Sequence, residues 1–224
     1  MSKINTLRKQ LHGKSFEYDS EKYNFKQVLE ELFGCKTEDL HLHLGDFQRF
    51  KRNNDQSTLA HKIFYSNYND KIKDLYDEFM IDVISNIIDP VEAYYQLIPT
   101  FRIGLPGNTF VGEFHKDSDY NHQSYELNFN LGISNYVGEA ALRTQKTEDS
   151  DEYMLLECPY GTIFSFDHID CLHGSNPNPM NSTMVSFDFR LAVKDLYYDS
   201  DAGSVNMGSK FQPGSYFSSS ALNS

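Results

Sequence analysis

Three side chains in this sequence could meet at a single metal ion. His115 and Asp117 stand two apart in Glu113-Phe114-His115-Lys116-Asp117, at the end of a predicted strand. In extended chain, residues two apart project to the same side, so one imidazole and one carboxylate can reach a common point. His173 lies further on, in Asp170-Cys171-Leu172-His173-Gly174, between two predicted strands that a rolled sheet can bring beside the first segment. Two imidazoles and one carboxylate on one side of an ion leave coordination positions open. That suits a ferrous ion which must also take a chelating co-substrate and O₂. The pair alone is weak, because His168-Ile169-Asp170 is a second HxD and a histidine at a strand end is commonly structural. The order of elements carries the reading: strand, HxD, several strands, a glycine turn, a strand, His-Gly, then a strand ending in Arg190.

Other polar residues could complete such a site. Along Val185-Ser186-Phe187-Asp188-Phe189-Arg190, Ser186, Asp188 and Arg190 share one face, and Val185, Phe187 and Phe189 share the other. A dicarboxylate needs a fixed cation at its far end, and arginine offers a planar two-pronged donor. The alternative for Arg190 is an internal pair with Asp188 or a surface ion pair. Arg102, in Thr100-Phe101-Arg102-Ile103-Gly104, is the rival cation, and either could hold a substrate carboxylate instead. Glu126 and Asn128 alternate with Leu127 and Phe129, facing either a pocket or solvent; Asn128 could hydrogen-bond a co-substrate. Tyr120, Asn121 and His122 follow the metal pair in a loop, where binding residues concentrate, a solvated loop being the alternative. His41-Leu42-His43 has ligand-like spacing without a carboxylate in register.

The first third of the chain reads as helical and connecting. The spacing predicts a helix over Tyr23–Phe33, stopped by Gly34, and a longer one over Asn69–Ile88, capped by Asn69 and ended by Asp89-Pro90. The stretch from His41 to Ser57 is polar and ambiguous. From Ala93 onward, short apolar or alternating runs predict strands at Tyr94–Leu105, Gly112–His115, Tyr125–Ile133, Ala140–Thr144, Tyr153–Glu157, Thr162–Phe166 and Met184–Val193, with turn formers between them. Helices followed by strands suggest an antiparallel sandwich or barrel with helices on one face. Residues 1–224 read as a single domain: a helical part over 1–92, a β core over 93–198, and a Ser/Gly/Asn-rich tail over 199–224 that is either a lid or a loose end.

Composition bounds the partners. The net charge of −12 disfavours DNA or RNA unless the few basic residues cluster, and otherwise serves solubility. No run of 18 or more apolar residues exists to span a membrane, and Met1–Lys14 lacks the apolar core of a signal peptide, so the cytosol is the default. Cys35, Cys158 and Cys171 are odd in number and widely spaced, and read as reduced thiols. With Arg102 and Arg143 as spare cations, an acidic chain suits a cationic or zwitterionic small molecule.

At these residues the sequence resembles the Fe(II)/2-oxoglutarate-dependent oxygenase superfamily, whose pattern is HxD, a distal His and a downstream Arg or Lys. More narrowly, Leu105-Pro106-Gly107-Asn108, Val111 through Tyr120, Glu126-Leu127-Asn128 and Val185 through Arg190 are similar to the streptomycin-biosynthesis oxygenase-like subgroup. The similarity spans residues 93 to 217 and closes on Phe211-Gln212-Pro213-Gly214-Ser215-Tyr216-Phe217; the first 90 residues add little to it. The resemblance implies a mostly β fold with flanking helices around a double-stranded β-helix (a jelly-roll, cupin-like core). It implies Fe(II) on His115, Asp117 and His173, with 2-oxoglutarate chelating through its keto and C1 carboxylate groups and its far carboxylate on a basic residue. The implied reaction is hydroxylation of a small metabolite, such as an amino acid, amino sugar or related intermediate, with O₂ consumed and succinate and CO₂ released. Related halogenases lack the ligand carboxylate, so Asp117 favours hydroxylation, with desaturation or ring formation as variants. One departure stands out: members often carry the base closer behind the distal histidine, where this chain has Met184 and neither Arg nor Lys. A cupin-like metalloenzyme that does not use 2-oxoglutarate is the alternative, followed by a non-catalytic sugar- or peptide-binding sandwich.

Overall fold

The computed structural model describes residues 3–44, 50, 54–110, 113–204 and 208–224. Two antiparallel sheets form the centre. The larger runs β1 (Lys14–Glu17), β7 (Thr162–Phe166), β4 (Glu126–Gly132), β9 (Met184–Val193) and β2 (Ala93–Tyr95), with β3 (Thr100–Gly104) also on β9. The smaller orders β6 (Tyr153–Leu156), β5 (Leu142–Gln145) and β8 (His173–Gly174). This mostly β architecture, with helices laid against one sheet, is the jelly-roll expected from the sequence.

The cross-strand register sorts the large sheet by face. Asn128 lies opposite Arg190, Asn130 opposite Asp188, and Arg102 opposite Ser186, so one face is polar across three strands. On the other face Phe101 pairs with Phe187 and Phe129 with Phe189, and there the helices pack. Phe64 stacks on Phe101 with ring centroids 4.6 Å apart, and Phe25 meets Phe187 edge-on at 5.5 Å. Such aromatic pairs add about 0.5–1.5 kcal/mol each beyond the area they bury.

The helices follow from local signals. In α2 (Phe25–Phe33) the Asn24 side chain caps the start by accepting from the Gln27 amide, and Gly34 ends it at φ 69°, a left-handed conformation that glycine adopts without strain. Asn69 does not cap a helix. Thr58 caps α3 (Leu59–Lys71) well before it, and the same buried stripe continues through α4 (Lys73–Phe79), a π-helical turn at Met80–Ile84 and α5 (Ser85–Ile88). The apolar face through Ala60, Phe64 and Tyr68 outweighed the polar residues around it.

Two further expectations are corrected, and one of the two alternatives for the tail is excluded. Tyr94–Leu105 is two strands, because Pro99 has no N–H to give the ladder and the Leu97 amide turns to the carbonyl of Tyr216 instead. The Gly112–His115 strand reduces, among described residues, to a bridge at His115, with Gly112 outside them. The tail is not loose: the Ser218 and Leu222 amides bond the carbonyls of Tyr95 and Ala93. Helix α1 (Lys3–Leu11), β1 and the two-residue β8 gave no sequence signal strong enough to find. All three cysteines are unpaired.

Candidate metal centre

The HxD segment and the distal histidine meet through their backbones. The His115 amide donates to the His173 carbonyl at 2.9 Å, and the His173 amide returns the bond at 3.0 Å. This two-residue antiparallel bridge sets the imidazoles side by side, with centroids 4.6 Å apart. Gly174 makes the approach possible, since a Cβ there would come within 2.8 Å of the Phe114 ring and 3.1 Å of its Cα. Asp117 opens a 3₁₀ turn (Asp117–Tyr120), and its amide is held by the carbonyl of His168 at 2.8 Å.

Both imidazoles are oriented the same way. Nδ1–H of His115 donates to the carbonyl of Glu113 at 2.9 Å, and that of His173 to the carbonyl of Cys171 at 3.0 Å. A carbonyl can only accept, so each Nε2 keeps its lone pair for a metal, the arrangement that orients metal-binding histidines. Each Nε2 lies 3.3 Å from Asp117 Oδ1. The three donor atoms lie within 4.8 Å of one another, and all three residues are buried. Among the described residues this is the one such group. Burial alone would raise the Asp117 carboxyl, but the Arg190 guanidinium and the two imidazoles hold it well below the usual carboxylate range. The donor set fits a divalent ion of the Fe(II) class: two nitrogen donors, one anionic oxygen and no thiolate.

Behind the triad a chain of alternating charges crosses the sheet. Arg190 Nη2 lies 2.7 Å from Asp117 Oδ2 and 3.1 Å from Asp188 Oδ2. Asp188 also meets Arg102 at 3.3 Å, and Arg102 reaches Asp55 at 2.9 Å. Arg190 therefore sits beside a candidate ligand, while Arg102 stands between two carboxylates further out. A cavity of about 350 Å³ opens next to the triad, lined by Asp55, Gln56, Tyr65, Arg102, Tyr120, His122, Arg190 and Tyr216 among others. A small inner space adjoins it, lined by Asn130, Ser186, Phe166 and His173 with both arginines. Of the residues lining that space, Asn130 Oδ1, Ser186 Oγ and Arg190 Nε are buried without a hydrogen-bond partner; both ends of the Asn128 amide, opposite Arg190 in the sheet, are likewise unpartnered. Buried polar atoms are seldom left so; Arg190 Nε and Ser186 Oγ could donate to a carboxylate, whereas the asparagine Oδ1 atoms need a donor such as a hydroxyl or water.

The other sequence candidates separate clearly. His122 lines the cavity, and its Nδ1–H donates to the buried Glu126 at 2.7 Å, so Glu126 acts through His122. Asn121 takes a left-handed turn conformation at φ 69° and does not line the cavity. His168, of the second HxD, is buried next to Asp117 but is not one of the three donors, and burial pushes its imidazole pKa well below the ordinary value. His41 bonds the Thr183 hydroxyl, a structural link. Arg143 pairs with Glu139 and lines neither space, so it is not a spare cation for a ligand. Asp55, Gln56, Tyr65 and Tyr216 were not found from sequence; no local pattern marks residues that only tertiary folding delivers to one wall.

No protein-family profile matches the chain. It is 29% identical over 200 residues to the streptomycin biosynthesis protein StrG of Streptomyces griseus, a match covering 89% of this chain and 94% of that protein. The fold aligns with the crystal structure of SnoK, a non-heme alpha ketoglutarate dependent carbocyclase from nogalamycin biosynthesis (TM-score 0.54, 13% identity, 86% of this chain and 84% of the other). It also aligns with iron-bound EctD from S. alaskensis (TM-score 0.57, 11% identity, 89% and 79%). The chain thus resembles StrG along most of its length and shares its fold with a non-heme alpha ketoglutarate dependent carbocyclase and with iron-bound EctD. The triad, the jelly-roll and the similarity to StrG are consistent with one another. No helix of the described chain is long and apolar enough to cross a membrane.

Proposed function

We propose that this protein is an Fe(II)- and 2-oxoglutarate-dependent oxygenase that hydroxylates a polar small molecule. The observation that carries the reading is the convergence of His115, Asp117 and His173, each imidazole presenting Nε2, beside an inner space rimmed by unpartnered polar atoms. With iron and 2-oxoglutarate bound, the site would supply oxidation of an unactivated C–H bond by O₂, with succinate and CO₂ as co-products.

The residues divide the work. His115, Asp117 and His173 hold the ion, and Arg190 fixes the second oxygen of Asp117 so that Oδ1 is the one presented. Ser186 Oγ and the Asn128 amide N–H supply hydrogen bonds to the co-substrate, with Arg102 or Arg190 as the cation for its far carboxylate. Tyr120, His122, Tyr216 and Gln56 form the substrate wall and exclude water from the reacting atoms. Asp55, Asp117 and Asp188 outnumber Arg102 and Arg190, so once one arginine serves the co-substrate none is left over for an acidic substrate. A neutral or cationic polyhydroxylated metabolite, such as an amino sugar, suits that wall of hydroxyl and amide groups.

The test is substrate-independent at first. Protein supplied with Fe(II), ascorbate, 2-oxoglutarate and air is expected to form succinate, and Asp117→Ala to form none. Tight Fe(II) binding with 2-oxoglutarate left intact would overturn this reading in favour of a cupin-type metalloenzyme. Amino sugars should then raise succinate formation above the basal rate more than acidic sugars do.

A further inference from the structure

Helix α1 stands outside the β core, yet one of its side chains and one just past its end reach the turn that leads to His173. Arg8 lies in the last turns of α1, and His12 is the residue that follows its end; both reach Asp167. Arg8 is 2% exposed. Its Nη2 donates to Asp170 Oδ2 at 3.0 Å and to Asn5 Oδ1 at 2.9 Å; its Nε lies 3.2 Å from Asp167 Oδ1; its Nη1 donates to the Ser124 carbonyl. The Asp167 amide donates to His12 Nδ1 at 3.0 Å, so His12 carries its proton on Nε2, which donates to the carbonyl of Gln145 on β5 at 3.0 Å.

The turn gripped in this way touches both halves of the triad. Its His168 carbonyl accepts the Asp117 amide, and its Ile169 carbonyl accepts the Ser118 hydroxyl at 3.1 Å. Two residues on, the Cys171 carbonyl orients the imidazole of His173. Gln145, which His12 holds, bonds the Leu172 amide through Oε1 at 2.7 Å. A guanidinium removed from water is costly unless its acceptors are fixed around it. Here they come from three separate segments, a denser arrangement than fastening one short helix requires.

We propose that Arg8 and His12 are positioning residues for the metal centre: a clasp from the N-terminal helix that sets Asp117 and His173 relative to each other. The proposal rests on the metal reading of the triad, and its test does not depend on turnover. Co(II), standing in for Fe(II), is titrated into wild type, Arg8→Ala, His12→Ala and Asp170→Asn, reading affinity, the visible ligand-field spectrum and the melting temperature of each apoprotein. Arg8→Ala is expected to weaken Co(II) binding about ten-fold, the lower end for groups that orient ligands, and to alter the spectrum. His12→Ala and Asp170→Asn are expected to move both readouts less, in the same direction. Lowered melting temperatures with wild-type affinity and spectrum would make α1 merely structural and overturn the clasp. Should Arg8→Ala not fold, unchanged Co(II) binding in the other two variants has the same force. A wild-type protein that binds no Co(II) would instead refute the metal reading beneath it.

Discussion

Strand β9 carries two opposite kinds of surface on one backbone, and all ten of its residues are buried. Toward the helices it presents Phe187 and Phe189; the Phe187 ring meets Phe25, Phe64 and Phe101. Toward the inner space it presents Ser186, Asp188 and Arg190, just as dehydrated but bearing charge. Apolar burial stabilises by about 25 cal/mol per Å². Buried ion pairs do little better than break even against well-packed apolar replacements, because each charge leaves water at a cost. Stability therefore comes mainly from the aromatic face, and the charged face fits the binding role proposed for it.

Four measurements probe that division, the largest effect first. His173→Ala should reduce 2-oxoglutarate turnover to background and abolish tight Co(II) binding, while chemical denaturation shows a folded protein; retained turnover would break the charged half of the comparison. Phe187→Ala should cost about 3–5 kcal/mol in the same denaturation experiment, with Co(II) affinity of the folded fraction unchanged. A shared loss of affinity would mean that the two faces are mechanically coupled. Co(II) at a hundred times its Kd should stabilise the wild type by about 2.7 kcal/mol, an increment that chelator removes and His173→Ala never shows.

The smallest effect concerns the one imidazole set into the aromatic side. His61 lies between Phe50 and Phe101, with the Thr58 hydroxyl on Nδ1 and no partner on Nε2. Burial first, and then Arg102, lowers its pKa from 6.5 to about 3. The unfolded chain then binds the proton more readily than the folded one. Stability is thus intact above pH 6.5 and falls as the pH drops toward about 3, by up to about 1.4 kcal/mol per unit from this group. His61→Gln should flatten melting temperature against pH between 6.5 and 5.5; an unchanged slope would assign the loss to other groups.

The sequence was most legible where a short-range rule dictated the outcome. Thr162–Phe166 and Met184–Val193 are strands at the predicted limits, because alternation and flanking turn formers mark both faces and both ends. The triad was legible because two of its members are fixed two apart and the third sits in a His-Gly pair whose glycine the close approach requires. Illegible were the parts that long-range contact creates. Asp55 lies far from Arg102 in the chain and meets it only through packing. Arg8 resembles any basic residue on a polar helix until the Asp167 turn closes over it. The start of α3 was missed because Asn69 mimics a cap, whereas Thr58 holds the true end.

The reciprocal amide bonds between His115 and His173 also bear on how fast an ion could be exchanged. Neither imidazole can rotate away without surrendering the Nδ1–H bond to its own chain. The two segments separate only when both amide bonds open together. Escape of a captured ion is then gated by a cooperative breach of the backbone rather than by side-chain rotation, and retention times should follow that breach.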